Sequence, residues 1–114
     1  MKSERIKILQ EAGLINEAAA AFADKAESVL QNRYPQNSEA INVFITHLAM
    51  ASQRIQNKEP VEQVDDVIWE EVKNSEHCQE ACKLLQEILL DAPCDIPEGE
   101  CRFLIIHLCN ILNS

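Results

Sequence analysis

Two histidines stand inside apolar helical segments. His47 lies within Phe44-Ile45-Thr46-His47-Leu48-Ala49 and His107 within Phe103-Leu104-Ile105-Ile106-His107-Leu108. A neutral imidazole is a good nucleophile near pH 7, and its ordinary pKa of about 6.5 makes it sensitive to small changes around it. Arg54 follows His47 by seven residues, so a helix puts both on one side, two turns apart, with Met50 and Ala51 between. A guanidinium there could hold a phosphoryl group through paired hydrogen bonds. In the second segment Glu100, Phe103, His107 and Asn110 share one helical stripe. Taken singly, each histidine reads as an interior or interface residue, Arg54 as a solvated helix-end cation and Glu100 as a first-turn acid. The combination points to chemistry.

Other chemistries lack their residues. No GxSxG elbow, HExxH, GxGxxG or GxxxxGK[ST] occurs. His77-Cys78 and Cys82 have no fourth ligand at a familiar spacing. The Glu-x-x-His pair of metal-binding bundles is absent too. The expectation is a protein that is not an enzyme and uses no metal or cofactor.

The elements that must position these residues are helices. Residues 2–12 form a short one ended by Gly13. Residues 14–33 form a second, with Leu14, Ala18, Ala21, Phe22, Lys25, Val29 and Leu30 along one stripe and a stop at Tyr34-Pro35. Asn37-Ser38-Glu39 opens a third, capped by Asn37 and running to residue 57 with Ile41, Phe44, Ile45, Leu48 and Ile55 inward. A shorter helix is predicted over 61–73, containing Val64, Val67, Ile68 and Trp69. Another, capped by Ser75, covers 76–91. Pro97 suits the first position of the last helix, which carries Glu98 and Glu100 in its first turn and runs to 112. The predicted fold is an all-α bundle of five to six helices. Residues 1–13 read as an N-terminal helical extension and 14–112 as the single domain.

The chain has 114 residues, a net charge of −9 and 46% hydrophobic residues, as expected of one globular domain. The charge is uneven. Residues 1–57 hold six basic and six acidic side chains; residues 58–114 hold four basic and thirteen acidic. An acidic half without a Lys/Arg cluster repels phosphate backbones, so no direct nucleic-acid binding is expected. No apolar run is long enough to cross a membrane, and the N-terminal residues lack the apolar stretch of a signal peptide. Five cysteines without a CxxC read as reduced thiols in a cytoplasmic protein.

Two segments carry a family resemblance. They are Ile45-Thr46-His47-Leu48-Ala49-Met50-Ala51-Ser52-Gln53-Arg54 and Ile96-Pro97-Glu98-Gly99-Glu100-Cys101-Arg102-Phe103-Leu104-Ile105-Ile106-His107-Leu108-Cys109-Asn110, with 60 residues between the histidines. The sequence resembles the PRD family, the phosphotransferase-system regulation domain of bacterial antiterminators and transcriptional activators. The likeness covers roughly residues 14–112. Thr46 stands where the family usually has an acid, and Arg102 where it favours a small residue.

The resemblance implies an all-helical module that pairs into homodimers. It implies that His47 and His107 accept phosphoryl groups from the phosphotransferase system's phosphocarrier protein or enzyme II components. Arg54, Glu100 and Asn110 would be supporting polar residues. A phosphoryl group brings about −1.5 to −2 charges. Beside Glu100 it would repel a like partner surface; beside Arg54 it would be attracted. The expected role is a stand-alone module in control of transcription or carbohydrate metabolism, its output read by another protein or through self-association. The alternative is a structural or scaffold subunit that keeps the fold without the phosphorylation.

Overall fold

The computed structural model describes residues 4–60 and 64–113. They form α1 (Glu4–Glu11), α2 (Glu17–Arg33), a 3-10 turn (Pro35–Asn37), α3 (Ser38–Gln56), α4 (Asp66–Lys73), α5 (Cys78–Leu89) and α6 (Glu98–Leu112). No strand occurs among the described residues, and the fold is the expected all-α bundle.

Local chemistry sets most boundaries. Gly13 ends α1 in the left-handed region at φ +78°. The Gly13 amide donates to the Gln10 carbonyl and the Leu14 amide to Leu9, both at 3.0 Å. This paired closure satisfies carbonyls that the helix end would otherwise orphan. Asn16 caps α2 by accepting from the Ala19 amide at 2.9 Å. The end of α3 repeats the closure of α1 with a less suitable residue. Lys58 takes φ +61°, its amide donating to Ile55 and that of Glu59 to Arg54.

Three expected caps behave differently. Asn37 stands at the start of α3, but its side chain does not cap that helix. Its Nδ2 donates instead to the Ile111 carbonyl at 2.7 Å, tying the end of α6 to the start of α3. Ser75 does not open α5; its hydroxyl donates back to the Val72 carbonyl at 2.7 Å and finishes α4. Pro97 lies just before α6 rather than at its first position. The helix predicted over 61–73 begins at Asp66, because Asp65 accepts from the Val67 amide at 2.8 Å and caps there. Val64 precedes that helix, and positions 61–63 fall outside the described residues.

The predicted stripe of α2 is rotated from the observed one. Ala19, Ala20, Phe22, Ala23, Ala26 and Leu30 are buried, whereas Ala18, Ala21 and Lys25 are exposed and Leu14 is half exposed. Phe22 and Leu30 belong to both stripes, and the alanines between them are too alike for periodicity to choose. Packing against α3 chooses. Lys25 faces outward and pairs with Asp91 at 3.0 Å.

The core joins Phe22 and Leu30 of α2, Ile41, Phe44, Ile45 and Leu48 of α3, and Leu104, Leu108 and Ile111 of α6. Ile6 of α1 is fully buried in the same core. α2 packs chiefly on α3 and α5 on α6, and the contact of α3 with α6 joins the two pairs. α4 buries no residue fully; Trp69 and Val72 pack on the core, while Val67 and Ile68 face out. At the surface, Arg33 of α2 holds Glu87 of α5 through two bonds of 2.8 and 2.6 Å. That pairing lowers the Glu87 pKa and raises that of Arg33.

Two stability outcomes are expected in urea unfolding. Leu104→Ala, in the fully buried junction of α3 and α6, costs about 2–5 kcal/mol. Lys58→Gly adds about 0.5–1 kcal/mol, because glycine relieves the left-handed penalty but loses more chain entropy on folding.

Candidate functional site

Where α3 crosses α6, the two histidines meet. His47 stands on α3 between the buried Phe44 and Leu48, at the edge of the helix's apolar face. Glu100, Phe103 and His107 follow one another on α6 at spacings of three and four, so they project to one side. The His47 ring stacks on Phe103 at 4.4 Å and on His107 at 5.1 Å between centroids, both at 28°. Phe103 and His107 are 4.8 Å apart and tilted by 54°. The three rings form one cluster at the edge of the core.

Glu100 lies beneath that cluster and is fully buried. Its Oε1 is 3.3 Å from His47 Nε2. This is a close polar approach, not an aligned hydrogen bond. The His47 side chain is 20% exposed, yet its Nε2 atom is closed off from solvent. His107 is half-buried, and burial chiefly holds its pKa below the ordinary value, with a further push from His47 that Glu100 opposes. His107 is therefore a neutral imidazole at neutral pH, with a lone pair available for nucleophilic attack.

The other candidates lie elsewhere. Arg54 is half-buried in the last turn of α3, about 10 Å along the axis from His47. One of its terminal nitrogens is buried without a hydrogen-bond partner. Asn110 is exposed and lines a shallow concavity with Ser75, Glu76, His77, Cys109 and Asn113. Thr46 does not serve the His47 ring. Its hydroxyl donates to the Asn42 carbonyl at 2.9 Å and accepts from Arg5 at 3.4 Å. Arg102 turns to α4, with its guanidinium over the Trp69 ring at 5.1 Å and ion pairs to Glu98 at 3.2 Å and Asp66 at 3.8 Å.

The sequence puts Phe103 on the right stripe without giving it a role, and it offers Glu100 as a first-turn acid or, through the resemblance, a supporting polar residue, without showing that it is buried. The signal for both was the 100–103–107 spacing, which puts a carboxylate and a phenyl on the face that carries the histidine.

Four of the five cysteines are held away from the reactive thiolate form. Burial is the first cause raising the thiol pKa of Cys82, Cys94, Cys101 and Cys109, which keeps them protonated at neutral pH. All five are free. Among the described residues no group of three or more His, Cys, Asp or Glu side chains is arranged to hold a metal ion. No helix among them is long and apolar enough to cross a membrane.

The six helices of the described residues match the expected all-α bundle, and the meeting of the two histidines is what the structure adds. The family model described as PRD domain matches residues 20–111, from early α2 to near the end of α6. The chain therefore belongs to the PRD family, whose domains are regulatory modules associated with the phosphotransferase system. A curated relative, the Uncharacterized protein YhfY of Escherichia coli (strain K12), is 27% identical over 106 residues, covering 91% of this chain and 88% of that protein. No solved structure matches.

The lowered His107 pKa makes a pH prediction. The unfolded chain takes up this proton near pH 6.5, whereas the folded chain takes it up only at lower pH. The stabilising contribution of neutral His107 is complete above the unfolded value and is lost as pH falls through the folded one. In urea titrations run at falling pH, the stability of the wild type relative to His107→Asn should decline below about pH 6.5. A constant difference would show that burial of His107 does not govern its protonation.

Proposed function

We propose that the chain is a PRD-type regulatory module whose histidine pair accepts phosphoryl groups, and that the added charge alters its contacts with other protein surfaces. The observation that carries this reading is the stacked pair itself. Two imidazoles from residues 60 apart meet at 5.1 Å on a half-buried edge, with a buried carboxylate beneath them. A plain core crossing would place hydrocarbon there. A phosphoryl group at this edge adds about −1.5 to −2 charges within the reach of Glu100. It would also extend the acidity of a second half that already holds thirteen acids against four bases. Repulsion of that size is enough to reset how two copies, or this chain and a partner, meet.

The proposed donors are the phosphocarrier protein or an enzyme II component of the phosphotransferase system. The proposed setting is a cytoplasmic homodimer acting in transcription or carbohydrate metabolism. The scaffold reading also has an observation behind it: His47 Nε2 is closed off against Glu100, as a packing histidine's would be.

A reconstituted cascade driven by phosphoenolpyruvate separates the two. The expected result is an acid-labile, base-stable label on the wild type that disappears in the His47→Ala/His107→Ala double variant, together with a shift in sedimentation on labelling. An unlabelled wild type beside a labelled control PRD protein would leave the scaffold reading.

A further inference from the structure

The two histidines are not equivalent. A ring nitrogen that takes a phosphoryl group needs a free lone pair and an open line to the donor's phosphorus, with the reacting atoms about 3–3.5 Å apart before attack. His47 Nε2 offers neither. It is sealed from solvent, and the Glu100 carboxylate occupies its approach at 3.3 Å. That carboxylate also repels an incoming phosphate. The negative oxygen facing Nε2 at 3.3 Å disfavours a lone pair there, so the ring proton sits on Nε2 and the lone pair on Nδ1, the nitrogen next to the side-chain stem.

His107 is placed otherwise. Its ring lies against the other two rings, and among the described residues no carboxylate stands at ion-pair distance from it.

We infer that Glu100 is a positioning residue that covers Nε2 of His47 and keeps the ring proton there, so that His47 presents only Nδ1, crowded by its own side-chain stem, and His107 is the first phosphoryl acceptor. The order of acceptance rests on the phosphoryl-acceptor reading above; the hold of Glu100 on His47 stands on geometry alone. In the first transfer, the lone pair of His107 forms the new N–P bond as the donor's bond to phosphorus breaks. The electron pair leaves with the donor's nitrogen. With phosphoramidate as donor, the remaining ring proton passes to the departing ammonia, which leaves as ammonium.

Two measurements on the full chain test this. Long-range proton–nitrogen correlation NMR reads the imidazole tautomers without any phosphoryl chemistry. The wild-type His47 is expected to carry its proton on Nε2, and Glu100→Ala should shift its ring nitrogens. Glu100→Leu, closer in volume, serves if the alanine variant does not fold. A His47 protonated on Nδ1, or one unmoved by both replacements, would overturn the hold of Glu100.

The second measurement is phosphoramidate labelling with the modified residue located by mass spectrometry. His47→Ala should keep the label on residue 107, and His107→Ala should lose it without any appearing on residue 47. His107→Ala/Glu100→Ala, which removes both the charge and the cover, should regain it on residue 47. Label on His47 ahead of His107 in the wild type would overturn the order. Label on neither ring, from phosphoramidate or the reconstituted cascade, would sink the acceptor reading, while the tautomer measurement still decides the Glu100 contact.

Discussion

A carboxyl group shut away from water must be met by a polar partner or pay several kcal/mol for its isolation. In this protein Glu100 is fully buried where α6 crosses α3, and His47 meets it. That requirement orients the crossing. Leu104 and Leu108 on one side of α6 are fully buried in the core, and Glu100, Phe103 and His107 form the adjoining face. Turning α6 about its axis would drive the carboxyl into hydrocarbon and separate the rings. The polar contact and the apolar packing therefore select one orientation together, and the histidine pair is a consequence of it.

The same crossing joins two parts of unlike charge. The first half of the sequence is balanced and the second strongly acidic. Lys25–Asp91 and Arg33–Glu87 bridge them at the surface, each setting a cation of α2 against an acid in or just after α5. Arg102 makes a comparable tie from α6 to α4 through Trp69 and Asp66. Exposed pairs of this kind contribute little to stability one by one. Their effect here is to spread the acidic half's charge over cations from other elements.

Much of this was legible in the chain itself. The apolar spacing of α3 and α6, glycine after α1 and proline after α2 name the helices because each acts over a few residues. The 60-residue interval and the stripe of Glu100, Phe103 and His107 marked the residues of the cluster. The stripe of α2 was not legible, since an alanine-rich segment has almost the same face on every side. Nor were the roles of Asn37 and Ser75: the type of a capping residue tells which bonds it can make, not which neighbour will be near enough to receive them.

What sequence alone determined is therefore the set of helices and the family of the chain, because periodicity and turn chemistry are local. Only the tertiary structure decided that Glu100 goes inside, that Phe103 packs beside both imidazoles, that Thr46 and Arg102 turn away to other partners, and that His47 rather than His107 faces the buried carboxyl. Those outcomes depend on how one helix is rotated against another. That rotation is set by the whole core at once, by contacts between residues dozens of positions apart.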